Sequence, residues 1–164
     1  MILSKRKFFL YLSFVLIWMG VIFGFSAQKS DQSDETSLGV GRIIAEIFVA
    51  DFDAMPEDEQ FELIDGWNTV IRKMAHFCEY AVLGIFVVML LLQVKISKRK
   101  TVMIGVLICA LYAVTDEVHQ YFVPGRACQI RDVCIDSAGA AAGILLVTII
   151  GYTHFKIQSR RKFS

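Results

Sequence analysis

Ionisable side chains interrupt apolar sequence at places where a membrane helix should be most apolar, and their types suit proton transfer and anion binding. The stretch from Ala110 to Asp136 reads ALYAVTDEVHQYFVPGRACQIRDVCID and carries Asp116, Glu117, His119 and Gln120 at the end of an apolar run. An earlier segment, Arg72-Lys73-Met74-Ala75-His76-Phe77-Cys78-Glu79-Tyr80, opens another apolar run. Arg72, His76 and Glu79 stand at helical spacings of four and three, so they share one face. Asp116 and Gln120 are neighbours one turn apart, as are Asp132 and Asp136 at the start of the last run. Asp, Lys or Arg at membrane depth costs at least ~2.5–3.5 kcal/mol on insertion scales, so groups of this kind face partners, water or ligand rather than lipid.

Carboxylates and imidazoles move protons near neutral pH, and guanidinium forks match phosphate oxygens. We therefore expect acid–base or nucleophilic work from His76, Glu79, Asp116, Glu117 and His119. Substrate binding is expected from Arg72, Lys73, Gln120, Arg126, Asp132 and Asp136. A lipid whose phosphate head lies at the interface while its tails remain among helices suits this layout better than a free metabolite. The competing reading gives the same groups only hydrogen bonds, either to stabilise the bundle or to bind a lipid, an antibiotic or an envelope partner without catalysis. No HExxH or paired-cysteine motif fixes a metal geometry, so no metal is expected, and no cofactor is specified. Cys78, Cys109, Cys128 and Cys134 read as small apolar residues or free thiols, with a Cys128–Cys134 bridge left open. Nothing points to nucleic acid.

The elements that position these groups follow from composition. The chain has 164 residues, 55% of them hydrophobic, and only two prolines, with a mean hydropathy of +0.55. Four runs, approximately 8–25, 75–94, 102–122 and 133–152, are long enough or nearly so to cross ~30 Å of hydrocarbon. The fold class is therefore an all-α membrane protein with four transmembrane helices. The first run is longer than the ~7–15 residues of a signal-peptide core and lacks an A-x-A site, so it is expected to stay as a span.

Lys5, Arg6 and Lys7, then Lys95, Lys98, Arg99 and Lys100, then Lys156, Arg160, Arg161 and Lys162 flank one side without any acid, whereas eleven of the sixteen acids lie between Asp31 and Asp65. The positive-inside rule puts both termini in the cytoplasm and residues 26–70 outside. Within that outer segment Val40, Ile43, Ile44, Ile47 and Phe48 recur at helical spacing, and Pro56 with Glu57, Asp58 and Glu59 marks a helix start, predicting one or two short amphipathic helices. Its acid-rich face is expected to be solvated without chemical role, and Asn68 to cap the second membrane helix. Trp18 reads as packing and Ser26 as an unremarkable helix end. Gly139 and Gly143 belong to a small-residue face that lets another helix approach closely.

On these residues the chain resembles the VanZ family: Phe25-Ser26-Ala27-Gln28, the Arg72–Tyr80 segment, Thr115-Asp116-Glu117-Val118-His119-Gln120 with Pro124-Gly125-Arg126, and Asp132 to Asp136 before Gly139. The likeness spans almost the whole chain. It implies an integral membrane protein of the cell envelope, associated in Gram-positive bacteria with resistance to the glycopeptide teicoplanin, and chemistry on lipid-linked phosphates such as phospholipid or polyprenyl-phosphate headgroups. Two positions depart from the pattern, Asp136 where Asn is frequent and Ala27 where Ser is frequent.

Overall fold

The structure, a computed structural model, describes residues 2–161, with side chains through Gly151. The basic residues Lys156, Arg160, Arg161 and Lys162 lie outside the described side chains. Five α-helices follow in order: α1 Lys5–Ser26, α2 Ser30–Phe48, α3 Glu57–Leu91, α4 Lys98–Tyr121 and α5 Ile130–Arg161. The helices α1, α3 and α4, and α5 as far as Gly151, are long and apolar enough to cross a membrane. Among the described residues there is no strand, only an isolated bridge between Ile2 and Val94.

Local chemistry sets the helix ends. Ser4 and Ser97 cap α1 and α4, their hydroxyls accepting the backbone N–H of Lys7 and Lys100, which satisfies donors left without an intrahelical partner. Pro56 precedes three acids in the first turn of α3, where the positive end of the helix dipole favours them. Beyond α4, Pro124 and Gly125 turn the chain. Gly125 has φ 79°, and a Cβ there would run into Ser30, so glycine serves both the conformation and the contact.

Several boundaries differ from expectation. The helix predicted from Pro56 and the second membrane span are one continuous rod of 35 residues, ~52 Å long at 1.5 Å per residue. Asn68 is thus inside α3 rather than at its cap. It donates to Asp34 at 3.2 Å and accepts from Ser37. No proline separates residues 57–74 from the apolar run, and the isolated Gly66 is tolerated inside a helix, so the helix continues. The spans also begin earlier than the apolar runs, because Lys5–Lys7 and Lys98–Lys100 are good helix formers that extend each helix into polar surroundings. Of the loop helices, α2 is one, and a short 3₁₀ turn at Phe52–Ala54 links it to α3.

α3 is the central element. Along α5 it runs parallel, held by a seam of small residues: a Cβ on Gly139 would overlap the Phe77 carbonyl, one on Gly143 the Ala81 carbonyl, and one on Gly84 the Ala140 carbonyl. Small residues are what allow backbones to approach so closely. α1 and α4 run the opposite way. The Trp18 indole donates to the Glu79 carbonyl at 2.8 Å, and the Tyr112 hydroxyl donates to the Met19 carbonyl at 2.6 Å, so Trp18 fixes α1 on α3 as well as packing. Val15, Ile22, Tyr80, Leu83, Val87, Cys109, Ala113 and Ala140 form the buried core. A smaller core of Ala45, Phe52 and Ile64 seats α2 antiparallel along the first half of α3. The outward faces stay apolar, with Leu16, Ile17, Leu107 and Leu111 exposed, as a lipid environment allows.

Candidate functional site

The site lies at the end of the bundle where α1 and α4 finish and α5 begins. α3 contributes Arg72, Lys73, His76 and Glu79; α4 contributes Asp116 and Gln120; α5 contributes Asp132 and Asp136. The glycine seam sets the register, because the contact of Gly139 with Phe77 brings Asp136, one turn earlier, beside His76.

Deepest is a polar cluster closed off from solvent. Asp116 and Asp136 are 2% and 0% exposed. Ser26, at the last residue of α1, donates to Asp116 Oδ2 at 2.8 Å. The Gln120 amide donates to the same oxygen at 3.3 Å and contacts the Ser26 hydroxyl at 3.4 Å, and its carbonyl accepts from Arg126 Nη1 at 3.1 Å. Ser26 is therefore a site residue that sequence reading missed. Its position inside the Phe25–Gln28 stretch was the one signal available. His76 Nδ1 stands 3.8 Å from Asp136 Oδ1, too far for a hydrogen bond. His76 Nδ1, Asp116 Oδ1 and both oxygens of Asp136 are buried without a hydrogen-bond partner among the described residues.

Nearer the surface the cations are held by acids. Arg72 Nη1 meets Asp34 Oδ1 at 2.6 Å, and Lys73 Nζ meets Asp132 Oδ1 at 2.5 Å. Asp34 belongs to the acid-rich segment that was expected to be merely solvated. No linear spacing ties residue 34 to residue 72, and only the docking of α2 on α3 joins them. Burial alone would raise the Asp34 carboxyl, but hydrogen bonds from Arg72 and Asn68 together with the Arg72 charge outweigh it and hold it below the usual range. At Arg126, burial first and the neighbouring Arg72 charge second push the guanidinium below its ordinary value. A half-buried guanidinium beside another is arranged to receive an anion.

Arg72 and Arg126 border a cavity of about 640 Å³ between α2, α3 and the end of α1. Its wall is mostly apolar, from Val40, Ile44, Val70, Ile71 and Met74, and Arg72, His76, Glu79 and Arg126 supply its polar part. Of the five residues expected to do acid–base work, His76 and Glu79 line the cavity. Asp116 lies behind His76. Glu117 and His119 are placed apart: Glu117 accepts the Gln129 backbone N–H at 2.8 Å and so ties the α4–α5 loop, and the His119 ring stacks on Phe23 at 4.1 Å. Four consecutive polar positions cannot all face one neighbour, since a helix turns ~100° per residue. Of the expected binding residues, Arg72 and Arg126 reach the cavity, Gln120 supports Arg126, and Lys73, Asp132 and Asp136 engage other partners. All four cysteines are free, so the Cys128–Cys134 bridge is absent.

No match was found among curated proteins or solved structures. The family model VanZ/LLP1 matches residues 9–151. As that match runs from the second turn of α1 to Gly151 and reaches all four membrane-length helices, the chain belongs to the VanZ/LLP1 family.

Proposed function

We propose that this membrane protein of the VanZ/LLP1 family acts on the phosphate-bearing headgroup of a membrane lipid at the outer leaflet of the cytoplasmic membrane, with both termini inside. The carrying observation is the single cavity in which an apolar wall adjoins Arg72 and Arg126 with His76 and Glu79. Acyl or polyprenyl chains match the wall, and two guanidinium groups match a phosphate. Asp34 holds the Arg72 guanidinium at the cavity wall. Glu79 is assigned the proton transfer, because it faces the cavity whereas His76 turns Nδ1 toward buried Asp136. A phospholipid and a polyprenyl phosphate share this chemistry. A change in either would alter envelope lipids and, following the family resemblance, susceptibility to teicoplanin in a Gram-positive host.

Purified protein incubated with phospholipids and polyprenyl phosphates, with bound and altered lipids identified by mass spectrometry, tests the reading. Enrichment of an anionic lipid, lost in Arg72→Ala and Arg126→Ala, is expected. Recovery of zwitterionic and anionic lipids in bulk proportion, unaffected by either change, would overturn it.

A further inference from the structure

Two carboxylates buried together must take up a proton or be neutralised by a cation, and no Lys or Arg forms an ion pair with either of them among the described residues. Lys73 is paired with Asp132, Arg72 with Asp34, and Arg126 donates to Gln120. Asp136 accepts no hydrogen bond among the described residues, and Asp116 Oδ1 accepts none of ordinary geometry, with the buried Tyr80 hydroxyl nearby, while its other oxygen is held by Ser26 and Gln120. An unpaired buried charge is among the most costly features a fold can contain. Close to both carboxylates lies His76 Nδ1, likewise buried and unpartnered.

One ligand atom from each of His76, Asp116 and Asp136 lies within 4.8 Å of the others. Two atoms bound to one ion at ~2.1 Å stand ~3–4 Å apart, depending on the angle between the bonds. The 3.8 Å from His76 Nδ1 to Asp136 Oδ1 is long for a hydrogen bond but fits two ligands of a common ion. We propose that His76, Asp116 and Asp136 bind a divalent metal ion, with Ser26 and Gln120 orienting Asp116 from behind.

One imidazole and two carboxylates form a nitrogen and oxygen donor set that suits Zn²⁺ or Mn²⁺ better than a thiolate-seeking ion. Its two negative charges match the ion's charge. Three protein ligands leave coordination positions open, as in catalytic rather than structural sites. His76 also lines the cavity, so the proposed ion would adjoin it. Support of a ligating carboxylate by hydrogen bonds from outside the ligand set is a usual feature of such centres. The three ligands come from three helices, so no linear motif announces them. The site goes beyond the lipid reading and stands without it, since it is read by metal content rather than by turnover.

The experiment loads purified, chelator-treated protein in detergent with Zn²⁺ or Mn²⁺, removes free ion, and measures retained metal by elemental analysis, with Mn²⁺ spectroscopy in parallel. About one ion per chain is expected in the native protein, with at least ~10-fold weaker binding in Asp136→Asn and in Asp116→Asn. Glu79→Gln should retain the ion even where lipid turnover is lost, which separates failure of this site from failure of the lipid reading. Added metal should also raise the melting temperature of the native protein but not that of Asp136→Asn, a comparison that keeps the test decisive if one variant accumulates poorly. Native protein that retains no ion and shows no metal-dependent melting shift, or an Asp136→Asn variant that binds as the native chain does, would overturn the proposal.

Discussion

At the scale of single residues, Glu79 and Arg126 share one cavity but differ in what they can do. Glu79→Gln keeps shape and loses the proton, so turnover should fall ~10²–10⁴-fold while lipid binding stays near native. Arg126→Ala removes a charge-assisted donor and should chiefly weaken binding of the anionic headgroup, by roughly 1.5–3 kcal/mol. Binding and turnover followed side by side decide this, and equal loss of affinity in both variants would favour a binder without chemistry. The polar types at 72–79 and 116–136 were legible because ionisable groups stand out in apolar sequence. Which of them meet was less so. Glu117 and His119 carry the same chemistry as Asp116, yet one secures a loop and the other stacks on Phe23, a division that depends on which helix lies on each side of α4.

At the scale of elements, the α3–α5 seam is the contact on which the site's register depends. Gly139→Ala places a methyl group against the Phe77 carbonyl, and should cost about 1–3 kcal/mol of stability as backbones are forced apart. Gly20→Ala, where nothing lies within 4 Å, serves as the control and should melt as the native protein does. The α2–α3 pairing has a pH signature. Because the Asp34 carboxyl is depressed in the fold, its contribution is complete above the unfolded aspartate value of ~3.9 and is lost as pH falls below it. The pair is exposed enough that solvent screening keeps its contribution small. Trp67, packed on the α2 core, should report loosening of α2 below about pH 4 by fluorescence in a Trp18→Phe background, and Asp34→Asn should flatten that response. Hydropathy made the four membrane-length helices readable and the small residues disclosed the seam. The union of residues 57–74 with the apolar run was hidden, since charge there argues for a surface helix while continuity depends on the lack of a proline and the tolerance of an isolated Gly66.

For the whole molecule, the clustering of cations and the absence of acids on one flank predict that both termini face the cytoplasm. Cysteine labelling in intact cells should reach a thiol placed at Asp53 but not one at Lys98, and the reverse result would put the cavity on the other leaflet. The rod-like α3 also has a mechanical consequence. One part of it is clamped along the glycine seam at Phe77–Gly84, while Glu57–Thr69 carries α2 away from that seam. The clamp is a fulcrum and the projecting hairpin a lever arm of ~20–30 Å at 1.5 Å per residue. A load that tilts this arm by ~5° displaces its tip by ~2 Å and swings Arg72, which rides on the same rod close to the fulcrum, by only ~0.7 Å. Large excursions of the hairpin are thereby geared down to fine adjustments at Arg72.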